Sequence, residues 1–283
     1  MRTALLFPGQ GAQRAGMGEL VATHRPDLMA ALEAELGAEP FERLDEGTDV
    51  VQPALYCAGL ASWRALQDQG VEADVFAGHS LGEITALAAA ETIDARYGLE
   101  LVMLRGRLIA AEAERQGNGG MLAVIGGELA DVQQLAVRHR VYLANDNSPG
   151  QAVLSGEKPS LELASEEGRE LGLRTLALDV HGAFHSPAMQ GAVPQFKQHL
   201  DTLSFDQRKP VYSCLTAAPF ENFRTQLADA ITGMVRWREL LQRLYADGVR
   251  TFIDAGPGRV MRGLVKHTLA DDVTILTTKE LGL

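Results

Sequence analysis

The sequence predicts an α/β protein with a mainly parallel core sheet, interrupted by a small inserted subdomain. Three observations carry this expectation. Short apolar runs alternate with helical-period stretches at both ends of the chain, the pattern of a parallel sheet covered by helices. Between Gly119 and Val180 the order changes to β-α-β-β-α-β, the ferredoxin-like arrangement. Finally, Gly78-His79-Ser80-Leu81-Gly82 stands where an apolar strand gives way to an alanine-rich helix, which is the setting of a nucleophile elbow. The expected division is a large core from residues 1–118 and 183–283, with residues 119–182 as the inserted unit.

Taken in order, Thr3 to Phe7 reads as a buried strand running into Pro8-Gly9-Gln10-Gly11-Ala12-Gln13. The glycines of that turn leave backbone N–H groups free to face a ligand. Leu55, Leu60, Trp63 and Leu66 recur at helical intervals after Val51-Gln52-Pro53, predicting a helix with proline near its first turn. Asp74 to Ala77 is the strand that feeds Ser80, and the helix after it, through Leu87 and Ala90, is rich in small residues. The inserted unit is expected to place strands at Met121–Ile125, Val141–Ala144, Ala152–Leu154 and Thr175–Leu178, with helices at Asp131–Arg138 and Ser160–Leu171. The core resumes with strands at Pro210–Ser213, Thr251–Asp254 and Val273–Thr277 and helices at Arg236–Tyr245 and Met261–His267. Ligands of such sheets bind beyond the carboxyl ends of the strands, where Gln10, Ser80 and Gly256-Pro257-Gly258 all fall.

Composition narrows the function classes. A chain of 283 residues, 46% hydrophobic and 22% charged, can bury a sizeable core. No apolar stretch approaches the roughly 20 residues of a membrane span, so no membrane partner is expected. The Ala4-Leu5-Leu6-Phe7 run is too short for a signal peptide and reads as the first strand of a cytoplasmic protein. A net charge of −11 argues against nucleic acid as a partner, since phosphate contacts need clustered positive charge. Cys57 and Cys214 have no metal-ligand or redox spacing and are expected as buried free thiols.

The elbow supplies both a nucleophile and an anion site. Its tight turn holds Ser80 Oγ out toward substrate, and the Leu81 N–H, at the positive end of a helix, is a natural half of an oxyanion hole. A serine hydroxyl needs a base. Of seven histidines, His79 adjoins the serine but, one step along an extended backbone, points away; it is expected as a packed, hydrogen-bonded neighbour bordering the pocket. His139, His199 and His267 lie among charged residues of helical stretches and are expected in solvent. His185, in Gly182-Ala183-Phe184-His185-Ser186-Pro187, falls just after a strand where the chain re-enters the core, and is the candidate base.

Six motifs occur in the order seen in malonyl-CoA:acyl carrier protein transacylases, which the chain resembles along essentially its whole length. They are Phe7-Pro8-Gly9-Gln10-Gly11, Gly78-His79-Ser80-Leu81-Gly82-Glu83, Leu104-Arg105-Gly106, Asn147-Ser148-Pro149-Gly150-Gln151, Phe184-His185-Ser186 and Asp254-Ala255-Gly256-Pro257-Gly258. The resemblance implies a hydrolase-like core with a ferredoxin-like insert and a Ser-His dyad that forms an acyl-serine. It also implies malonyl-CoA as substrate, transfer to the phosphopantetheine thiol of an acyl carrier protein, no permanently bound cofactor and no metal. Carried over by position, Ser80 is the nucleophile, His185 the base and then the acid, and Gln10 and Leu81 supply oxyanion N–H groups. Arg105 pairs with the malonyl carboxylate, Gln52 lines the pocket, and Phe184 restricts the space beside the α-carbon.

One segment departs from the family. Relatives often carry Asn-Pro-Val-Gln-Trp where this chain has Gly233-Met234-Val235-Arg236-Trp237, and there a backbone carbonyl orients the histidine. The carbonyl of Arg236 could serve here, and no acidic third member of a triad can be assigned. The surplus of basic residues from Arg236 to Lys266 marks one candidate docking surface for an acidic carrier protein. The resemblance covers malonyl transferases of fatty-acid synthesis, polyketide pathways and malonate decarboxylases. Two other readings stay open: an editing acyl-thioester hydrolase, against which Arg105 weighs, and a silent interaction subunit, against which the intact dyad weighs.

Overall fold

The computed structural model describes residues 2–282. Its first part forms β1 (Arg2–Phe7), α1 (Met17–His24), α2 (Pro26–Leu36), α3 (Thr48–Asp68), β2 (Val75–Gly78), α4 (Gly82–Ala89) and α5 (Ala95–Gln116). Then come β3 (Gly119–Ile125), α6 (Leu129–His139), β4 (Tyr142–Ser148), β5 (Gln151–Glu157), α7 (Lys158–Glu170) and β6 (Arg174–Ala177). The remainder forms α8 (Val193–Leu200), β7 (Val211–Ser213), β8 (Ala218–Pro219), α9 (Phe223–Asp229), α10 (Trp237–Ala246), β9 (Val249–Asp254), α11 (Val260–Thr268) and β10 (Thr274–Thr277).

The larger sheet has the order β10-β9-β1-β2-β7-β8, parallel throughout except for the β7–β8 pair at its edge. Register brings Phe7 beside Gly78 and Leu6 beside Asp254, so β1, β2 and β9 end level with one another. The Gln10 loop, the Ser80 turn and the Gly256 loop therefore leave the sheet along one edge. Alternation along the strands covers both faces. Leu5, Phe7 and Phe76 join the core under α3, α4 and α5, whereas Ala4, Leu6, Val75 and Ala77 pack with Trp237, Leu240 and Leu264 of α10 and α11.

The smaller sheet is antiparallel in the order β4-β5-β3-β6, with the β-α-β-β-α-β connectivity expected from sequence. One face buries Leu122, Val124 and Leu154 against Leu135 of α6 and Leu161 of α7. Its other face presents Met121, Ala144 and Val153 toward Val180 and Phe184. The β4 strand also reaches the larger unit: the Val235 N–H donates to Ala144 O at 2.8 Å and the Asp146 N–H donates to Val235 O at 2.9 Å.

Two elements differ instructively from expectation. The α3 helix begins at Thr48, so Pro53 lies in its second turn, where the missing N–H costs the helix one hydrogen bond. The β4 strand continues to Ser148, past its predicted end at Ala144. Asn and Asp are poor strand formers, and cross-strand pairing overrides that propensity at Asn145, Asp146 and Asn147. The sequence reading also leaves α1, α2, α5, α8, α9 and β8 undelineated. Among the described residues, no helix is long and apolar enough to cross a membrane.

Candidate active site

The turn between β2 and α4 depends on its glycines. A Cβ on Gly78 would lie 1.9 Å from the carbonyl carbon of Gly82, and one on Gly82 would lie 2.4 Å from Phe7 O. The Gly9 backbone packs on the same turn, where a Cβ would meet His79 O at 2.8 Å. Ser80 itself holds φ at 54°, a left-handed conformation that is costly for a non-glycine residue and recurs at functional turns.

His185 is also left-handed, with φ 54°. Ser186 secures that conformation, its hydroxyl donating to Ala183 O at 2.6 Å and accepting from the Ala188 N–H at 3.3 Å. Two carbonyls, Ala230 O and Gly233 O, each accept from His185 Nδ1 at 3.0 Å. They fix the proton on Nδ1 and leave Nε2 as the acceptor for Ser80 Oγ, 2.8 Å away. The orienting carbonyls are thus that of Gly233, at the head of the divergent segment, and that of Ala230, three residues before it, and not that of Arg236. The Arg236 N–H instead donates to Cys214 O at 2.7 Å. Burial foremost, then the nearby charges of Arg105 and His79, push the His185 pKa down to about 3. The imidazole is accordingly neutral and able to accept a proton at physiological pH.

Arg105 enters from the middle of α5, a helix capped at its start by the Asp94 carboxylate accepting from the Arg96 N–H at 2.8 Å. Gly106 lets α3 approach, since a Cβ there would lie 3.0 Å from Asp49 Cα. That close approach sets Gln52 against Arg105, whose Nη1 donates to Gln52 Oε1 at 2.7 Å. Nη2 donates to Ser80 Oγ at 3.2 Å. Both side chains are buried, and burial lowers the Arg105 pKa to about 10, opposed by the negative charge of Glu83. The guanidinium remains a cation at neutral pH.

Gln10, Gln52, His79, Ser80, Leu81, Arg105, Phe184 and His185 all line one cavity of about 100 Å³. The eight candidate nucleophile, base, oxyanion and pocket residues are therefore together at this place. Among the described residues, the N–H groups of Gln10 and Leu81 have no protein acceptor and remain free for an oxyanion. His79 donates from Nε2 to Asn147 Oδ1 at 2.8 Å and packs against Trp237, so it ties the elbow to β4 while bordering the pocket. Beyond Gln10 and Val180, a wider depression of about 780 Å³ adjoins the cavity.

Asn145 was missed. It lines the cavity from β4, is buried, and its Oδ1 has no partner among the described residues. Its place two residues before the Asn147-Ser148-Pro149-Gly150-Gln151 motif was the available signal. The basic C-terminal stretch is largely neutralised. Arg236, Arg238, Arg243, Arg250 and Arg262 pair with Glu239, Asp146, Asp247, Asp272 and Glu280. His139, expected in solvent, instead pairs with Glu167 at 2.6 Å.

Known proteins share this arrangement. A family model described as the acyl transferase domain matches residues 4–280. A polyketide-biosynthesis malonyl CoA-acyl carrier protein transacylase of Bacillus velezensis is 36% identical, with 92% of this chain and 94% of the relative covered. A malonyl CoA-acyl carrier protein transacylase structure from Clostridium perfringens superposes with a TM-score of 0.90 at 31% identity, covering 98% of this chain and 93% of that one. A malonyl-transacylase solved in complex with its type II polyketide-synthase acyl carrier protein gives 0.89 at 32% identity, over 98% of this chain and 95% of that one. An acyl-transferase core with a Ser-His pair at the carboxyl edge of its sheet, matched along nearly all its length, makes this chain a member of the acyl transferase domain family.

Proposed function

We propose that the protein transfers a malonyl group from malonyl-CoA to the phosphopantetheine thiol of an acyl carrier protein, by a ping-pong route through malonyl-Ser80. The observation that carries the reading is the buried Arg105 guanidinium touching Ser80 Oγ inside the cavity. A cation held there with no carboxylate in salt-bridge contact among the described residues suits an acyl group that brings its own carboxylate. A hydrolase of simple acyl chains has no use for it, and a silent subunit has no use for an aligned Ser-His pair.

The chemistry follows from the geometry. His185 Nε2 takes the proton of Ser80 Oγ as the oxygen attacks the thioester carbonyl, with Nδ1–H held on the Ala230 and Gly233 carbonyls. Negative charge gathers on the former carbonyl oxygen, toward the free N–H groups of Gln10 and Leu81. Collapse breaks the C–S bond, and the proton on Nε2 goes to the departing CoA sulfur. The carrier thiol then gives its proton to Nε2 and attacks the acyl-serine. When the C–O bond breaks, Ser80 Oγ recovers that proton, and malonyl-carrier protein leaves. Throughout, the Arg105 fork holds the malonyl carboxylate away from the reacting carbon.

The catalytic side chains perform this without a permanently bound cofactor. Two buried, unpaired thiols, Cys57 and Cys214, fit a reducing, cytoplasmic setting. The test is full turnover: the protein, malonyl-CoA and phosphopantetheinylated carrier protein together should give malonyl-carrier protein. Carrier protein lacking its prosthetic arm should gain nothing. Release of free malonate in place of carrier acylation would overturn the reading in favour of hydrolysis.

A further inference from the structure

We propose that Glu83 is a positioning residue: from the first turn of α4 it anchors the corner after β7, and through that corner keeps the nucleophile turn in register with the loop that orients His185. The inference rests on the reading of Ser80 and His185 as nucleophile and base.

Glu83 lies three residues after Ser80 and is 1% exposed. Its Oε1 accepts the Cys214 N–H at 2.7 Å. On its far side, Cys214 O accepts the Arg236 N–H at 2.7 Å. Three residues earlier, Gly233 O accepts the proton of His185 Nδ1 at 3.0 Å. Ser80 and His185 are thereby joined by two routes: directly through Oγ and Nε2, and indirectly through Glu83, Cys214 and the Gly233–Arg236 loop.

A buried carboxyl is costly, and an apolar side chain of similar volume would fill this space without that cost. Among the described residues, no cation makes salt-bridge contact with Glu83; burial raises its pKa, and the charge of Arg105 offsets that only in part. What the carboxyl provides that an apolar group cannot is an acceptor for the Cys214 N–H. A misplaced base is expensive, since small errors of geometry between nucleophile and base cost large factors in rate.

The test compares Glu83→Ala, which removes the acceptor, with Glu83→Gln, which removes the charge and keeps an acceptor for the Cys214 N–H. Two rates are read: labelling of Ser80 by a fluorophosphonate probe, which needs only the dyad, and steady-state malonyl transfer. Glu83→Ala should lower the labelling rate and kcat together by about tenfold or more, with KM for malonyl-CoA held, and Glu83→Gln should restore most of the loss. A folded Glu83→Ala protein with wild-type labelling overturns the proposal, as does Glu83→Gln impaired as deeply as Glu83→Ala. If Glu83→Ala does not fold, Glu83→Asp carries the test by withdrawing the carboxylate from the Cys214 N–H. Its labelling rate should fall at an unchanged thermal midpoint, and an unchanged rate overturns the proposal. Wild-type protein labelled at Ser80 yet idle with malonyl-CoA would count against the transfer reading alone.

Discussion

Arg105 touches Ser80: Nη2 of the guanidinium donates to the serine Oγ at 3.2 Å while Nη1 donates to Gln52 Oε1 at 2.7 Å. One arm of the fork is thus held by the protein, and the other rests on the nucleophile, where the carboxylate of the proposed malonyl group would compete for it.

Removing the Arg105 side chain should separate specificity from reactivity. Arg105→Ala should lower malonyl transfer by about ten- to hundredfold, the worth of a charge-assisted pair in a partly closed site, while acetyl transfer holds or rises. Arg105→Lys should recover only part, because a point charge does not replace the bidentate fork. Transfer rates for the two CoA esters check this, and equal loss of both would count against the clamp.

The depressed pKa of His185 fixes the sign of a pH effect. The imidazole stays neutral as pH falls through its ordinary value of about 6.5 and gains its proton only toward about 3. Acylation by acetyl-CoA, which lacks a titrating carboxylate, should therefore show no loss centred near pH 6.5. Arg105→Ala removes one of the positive charges that lower this pKa, so its acid limb should move upward. Acylation rates across pH in the two proteins decide it; a wild-type inflection near 6.5 would contradict the buried, neutral base.

Phe184 lines the cavity immediately before the base, where its ring would fill space beside the α-carbon of the proposed acyl-serine. Malonyl-CoA should be preferred to methylmalonyl-CoA, by the roughly 1–3 kcal/mol that one methyl is worth in an apolar pocket. Phe184→Ala should erode the preference. Competition between the two esters, read from the mass of the acyl-enzyme, should show a malonyl adduct predominating in the wild type.

Asn145 offers a buried carboxamide whose Oδ1 has no protein partner, a state that a substrate amide can relieve. CoA and carrier protein present the same pantetheine amides. Asn145→Ala should raise KM for both by about two- to tenfold and leave fluorophosphonate labelling of Ser80 near wild type. An effect on one substrate alone would assign the carboxamide elsewhere.

Much of this site was legible in the chain because its chemistry is carried by backbone geometry. Gly78 and Gly82 are required by contacts that no side chain could survive, and those glycines mark the elbow in the sequence. Likewise, the alternation of strands and helices placed the Gln10, Ser80 and Gly256 loops on one edge before any contact was known. Long-range pairing was not legible. The β4 strand runs through Asn145, Asp146 and Asn147 only because β5 and the Val235 segment pair with it. The carbonyls that orient His185 belong to a loop whose side chains diverge, and backbone acceptors leave no mark in a residue pattern. The basic stretch after Arg236 looked like a patch because its acidic partners are partly distant in sequence, such as Asp146 for Arg238 and Asp272 for Arg250.

The most direct measurement is the mass of the protein after brief exposure to malonyl-CoA, followed by mapping of the modified peptide. The wild type should gain one malonyl group on the peptide containing Ser80, lost again when phosphopantetheinylated carrier protein is added. Ser80→Ala should gain none. A persistent adduct in Ser80→Ala, or a wild-type adduct on any other peptide, would contradict the account.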